Sequence, residues 1–174
     1  FDVLQFYTCL YFFNIISLCK NHNINGILIK LDLKNKESVD ANSLMYYFRF
    51  KDHKVLTMGS MNFIGEAIEG LEPNILLAGS ANSRKEIYNY TERLLSLTNF
   101  PEIIIPTHWD DFRVTYEASQ EKAIESKATP FIEDVKRILP SAKVILPKHL
   151  APMVFKSKWF YLLAAPGVGY VNLP

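Results

Sequence analysis

One stretch of this chain gathers residue types that can do chemistry in close order: Pro106-Thr107-His108-Trp109-Asp110-Asp111-Phe112. An imidazole binds zinc through one nitrogen, and a carboxylate beside it can orient the other. His108 with Asp110 and Asp111 therefore has the ingredients of a metal or acid–base site. It directly follows the short apolar run Glu102–Pro106, so it would stand at the end of a buried strand. On residue chemistry alone, a structural histidine satisfied by its neighbours is the competing reading. His22, His53 and His149 fall in polar loops or turns and read as solvated side chains.

Two other loops follow apolar runs. Gly59-Ser60-Met61-Asn62 comes after Lys54–Met58, and Ser60 or Asn62 can cap a following helix. Gly79-Ser80-Ala81-Asn82-Ser83 comes after Asn74–Ala78 and either lines a site or caps the next helix. Neither is a phosphate-cradling loop, since G-x-G-x-x-G and G-x-x-x-x-G-K-[ST] are both absent.

The elements that must hold these loops are readable. Residues 43–50 and 54–58 form a hairpin about a polar turn, and Ile64–Leu71 is a short helix closed at Gly70. Residues 83–99 place Ile87, Tyr90, Leu94 and Leu97 on one face of an amphipathic helix. Two further helices are expected at 119–128 and 130–139, the second capped by Thr129 with Pro130 at its first position. Residues 143–147 are the last clear strand, and Ile27–Leu33 is a short earlier one. Strands alternating with helices in this order imply an α/β fold with a mostly parallel sheet, in which ligands gather at the carboxyl ends of the strands.

Bulk properties set limits. The 174 residues suffice for one domain with a real core. A net charge of +1 gives no field for a polyanion, so nucleic acid is not an expected partner. The run 1–19 is apolar and aromatic, but Asp2, Gln5 and Asn14 interrupt it, and a spanning helix needs about 20 predominantly apolar residues. A core strand or helix is favoured there, with membrane contact the rival. Cys9 and Cys19 make no disulfide framework, and with no signal peptide they point to a cytoplasmic location. The first residue is Phe1, which implies processing, trimming or a beginning elsewhere.

The run from His53 to Leu97, with PEIIIPTHWDDF and KVILPK after it, resembles the C-terminal half of metallo-β-lactamase-fold hydrolases of the lactonase-like and L-ascorbate-phosphate-lactonase-like kind. The resemblance covers 43–150, takes in 1–42 only loosely, and leaves 151–174 unassigned. It implies one half of an αββα sandwich and a zinc-dependent hydrolase, whose metal-bound water attacks an ester, lactone or similar bond in a small-molecule substrate. It makes His108 a metal ligand, sets Ser60 where many members carry a bridging aspartate, and puts Asp110, Asp111 and Asn62 around the site. The family's H-x-H-x-D-H motif is absent, and Tyr11 or a neighbour falls where a further ligand would be expected. Three protein ligands are usual for catalytic zinc, so the chain is expected to be inactive alone. It would then be a truncated, split or degenerate hydrolase, or an interaction or scaffold domain that kept the fold. Half a sandwich also exposes an inner sheet face unless 1–19 or another chain covers it. Self-association follows if the face is bare, whereas a monodisperse monomer in light scattering would count against it.

Overall fold

The computed structural model describes residues 3–6, 25–30, 44–50, 52–115, 117–148, 153–156 and 170–171. Six strands form one sheet in the order β2-β3-β4-β5-β6-β7: Asn25–Lys30, Leu44–Phe50, His53–Met58, Ile75–Gly79, Ile103–Thr107 and Lys143–Val144. The first three are antiparallel neighbours, while β4, β5, β6 and β7 run parallel. The expected α/β class is what the chain adopts. The sheet reaches back across residue 42, because β2 pairs along its length with β3.

Asn74 locks the amino ends of the parallel strands. Its Oδ1 accepts from Lys54 N at 2.8 Å, its Nδ2 donates to Asp52 O at 3.0 Å, and its carbonyl accepts from Ile103 N at 3.0 Å. One residue thus satisfies, through its side chain and its carbonyl, backbone groups that would otherwise be left open where three strands begin.

Side chains alternate across the strands, and each face meets its own layer. On one face Met45, Tyr47, Leu56, Met58, Leu76, Ala78 and Ile104 pack with helical residues. These come from α1 (Gly65–Ile68), α2 (Tyr90–Leu97) and α4 (Thr129–Ile138), through Ile68, Leu94, Leu95, Phe131 and Val135. On the other face Phe48, Val55, Ile75, Leu77, Ile103 and Ile105 pack with Met153 and Phe155 of β8, Met153–Lys156. That strand lies in a second sheet, between β1 (Val3–Phe6) and β9 (Tyr170–Val171). The face that would lie open unless 1–19 or another chain covered it is filled at these positions, with Val55, Ile75 and Ile105 at 0% exposure. Part of the unassigned tail is the covering layer.

Several local expectations change. The helix expected over 83–99 is broken: Asn82–Glu86 is a 3-10 turn, Ile87 is extended, and Asn89 sits in the left-handed region at φ 48 before α2 begins. The expected face nonetheless packs inward, since Ile87, Tyr90, Leu94 and Leu97 all join the helical core. The helices expected at 119–128 and 130–139 run together through α3 (Glu121–Ala123), a π-helical stretch at Ile124–Ala128, and α4. Thr129 has right-handed helical backbone within that run and is not a cap. Pro130 explains the widened turn before it, because its ring lacks the N–H that an α-helical turn requires and crowds the preceding carbonyl. His53, read as solvated, is 3% exposed and lies 4.0 Å from the Asp52 carboxylate. His22 and His149, and all of 1–19 apart from β1, lie outside the described residues. Among the described residues, no helix is long and apolar enough to cross a membrane.

Phe155 is fully buried against the inner face, so Phe155→Ala should cost about 3–5 kcal/mol in urea denaturation. A loss below about 1 kcal/mol would show that β8 does not cover the sheet.

Candidate functional site at the strand ends

β4, β5 and β6 end side by side, and the loops that leave them are the three the sequence picks out. Ser80 is fully buried, and both its N–H and its Oγ donate to the Thr107 carbonyl at 2.8 Å. It neither caps a helix nor lines an open site, as the Gly79–Ser83 loop was expected to do. Gly79 before it is required by packing: a Cβ there would stand 2.7 Å from Met61 Sδ. The Tyr90 hydroxyl donates to the Gly79 carbonyl at 2.8 Å, and burial pushes its pKa up. Ser60 is partly buried and Asn62 exposed. Neither caps α1, whose N-cap is Ile64 without a side-chain bond.

His108 follows β6 directly, in the left-handed region at φ 56. Histidine tolerates this region better than most residues, at a cost of about 1–2 kcal/mol. The turn carries the imidazole toward the end of β4, where the Met58 backbone acts on it. The residue as a whole is exposed, yet the ring sits close enough to the strand ends for desolvation to lower its pKa from the ordinary 6.5. Asp110 and the bond to Met58 oppose that shift. A neutral ring that donates through one nitrogen keeps a lone pair on the other.

The two aspartates part company. Asp110 is the carboxylate whose charge acts on His108, and its carbonyl accepts from Lys127 Nζ at 2.7 Å. Asp111 closes on Arg113, whose Nε and Nη2 donate at 2.8 and 3.0 Å. That side-chain bond, with a further one from Arg113 N, holds its carboxyl at about 2. Asp111 N in turn donates to Gln120 Oε1 at 2.9 Å. Phe112, between them, is 88% exposed.

A zinc site needs more than this. Among the described residues no three His, Cys, Asp or Glu side chains gather as a metal would require. Asp111 is engaged elsewhere, and a serine at position 60 cannot bridge two cations as a carboxylate does. The described residues do not by themselves fit a resident zinc. Thr107, whose Oγ1 is buried without a hydrogen-bond partner, went unnoticed in the sequence as a polar group beside His108. A threonine closing an apolar run carries no signal of its own.

The lowered pKa has a consequence for stability. The folded value lies below the unfolded one, so the contribution of His108 is present above about 6.5 and is lost as pH falls through that value toward the folded pKa. An NMR titration of the imidazole should place its pKa below 6.5, and Asp110→Asn should lower it further. A value at or above 6.5 in the parent chain would contradict the geometry.

No family model and no curated protein matches the chain. Among solved structures, unliganded yeast PDE1 is similar over 72% of this chain and 44% of that one, at 12% identity and a TM-score of 0.42. The chain thus spans less than half the length of that protein, and a likeness at this level assigns no family.

Proposed function

We propose that the chain is a fragment or degenerate member of the metallo-β-lactamase-fold hydrolases, inactive by itself, with His108 as a single retained metal ligand. One observation carries the reading. His108 stands at the carboxyl end of a parallel strand with the Asp110 charge acting on it, and desolvation lowers its pKa toward the neutral ring that a metal binds. A carboxylate or backbone carbonyl at the second ring nitrogen is what commonly orients such imidazoles. The remaining ligands would have to come from outside the described residues, and the substrate class (an ester, lactone or similar bond) rests on the resemblance alone. Asp110, Asn62 and Ser60 would border such a site.

The closure of Asp111 on Arg113 favours a second reading, a scaffold or interaction domain that kept the fold and lost the metals.

Equilibrium dialysis tests both. The chain alone should hold no stoichiometric zinc at roughly micromolar metal, where a site of three protein ligands would. Stoichiometric zinc that His108→Ala abolishes would overturn the inactive-fragment reading. Adding a polypeptide that carries H-x-H-x-D-H should restore zinc binding through His108 in the enzyme-derived case, and leave it absent in the scaffold case.

A further inference from the structure

Away from His108, the fold buries a charge that the strand-end chemistry does not use. Arg84, on the turn Asn82–Glu86, is only 3% exposed. Taking a guanidinium out of water is costly unless its donors are paired. Its Nη1 donates to the Ser80 carbonyl at 3.0 Å and the Ala81 carbonyl at 3.4 Å. The Phe131 ring lies 5.8 Å from the guanidinium carbon. These contacts fix the plane of the fork. Among the described residues, Nε and Nη2 have no hydrogen-bond partner.

A cavity of about 160 Å³ opens there, lined by Arg84, Lys85, Tyr90, Thr91, Asp134 and Arg137. Its two carboxylates are engaged: Asp134 accepts from Arg137 Nη2 at 3.2 Å and its charge also acts on Arg84, and Glu92, also on the wall, accepts from Asn89 Nδ2 at 2.7 Å. Three cations and two carboxylates thus line a space well below the roughly 300–1,000 Å³ of sites for drug-sized ligands, with one positive charge in excess. A planar fork held rigid before binding suits an oxyanion, because little side-chain freedom is left to lose.

We propose that this cavity binds a phosphoryl group, with Arg84 as its fixed donor and Lys85 and Arg137 closing over it from the exposed side. The group is either free inorganic phosphate or the terminal phosphate of a larger molecule. The site goes beyond the strand-end reading, and its test does not involve hydrolysis.

The 174-residue chain would be titrated with inorganic phosphate, and separately with phenyl phosphate, at constant ionic strength. Amide shifts of Arg84 and Thr91 would be followed by NMR. The expected result is saturable binding with a Kd of about 1 mM or tighter, weakened about tenfold in both Lys85→Gln and Arg137→Gln. Both substitutions are at exposed residues, so the fold should survive them. Binding of phenyl phosphate as well as phosphate would support a site for a group on a larger molecule, and binding of phosphate alone a site for the free ion. Shifts that fail to saturate, that sodium chloride reproduces, or that persist unweakened in both variants would overturn the proposal.

Discussion

The Thr107 carbonyl is the point on which the strand-end architecture turns. It takes two hydrogen bonds from Ser80, so β5 and β6 are tied together where each leaves the sheet. A buried serine placed this way satisfies its own hydroxyl and the neighbouring strand's last acceptor at once. The other polar arrangements nearby hang from the same tie. Tyr90 reaches the Gly79 carbonyl and Arg84 the Ser80 carbonyl, while His108 begins its turn one residue after Thr107. Moving that turn would move the imidazole, the buried arginine and the start of α2 together.

The sheet that presents these ends is closed on both faces by the chain itself. Its central strands read as unbroken apolar runs because each alternate residue meets a different layer, helices on one side and β8 on the other. The covering strand comes from a segment whose glycines and prolines hide it, and its pairing with β1 joins residues far apart in sequence.

Legibility followed the range of the interaction. β3 through β6 were readable because alternation, hairpin turns and flanking prolines and glycines are local signals, and they sufficed for the α/β class. The break at Ile87–Asn89 was not, because helical periodicity continues across it. What interrupts the helix is Arg84 and Tyr90 bonding back to the end of β5, contacts that no window of sequence contains. The π-helical turn before Pro130 was hidden for the opposite reason. Thr129-Pro130 is a good helix start, and nothing in those two residues signals that one helix runs through them, with Ala128 and Phe131 both fully buried. The place of the loop holding His108, Asp110 and Asp111 at the end of a buried strand was legible from the apolar run before it. The division of labour between the aspartates was not, because it depends on Arg113 folding back two residues.

The functional account rests on the state of one imidazole. The Met58 backbone beside the ring, with desolvation favouring the neutral form, should hold His108 in a single neutral tautomer. Long-range ¹H–¹⁵N correlation of the His108 ring above its pKa measures this directly. One protonated and one unprotonated nitrogen with well-separated shifts is the predicted result. Two averaged shifts, as a freely exchanging solvent-exposed ring gives, would contradict it.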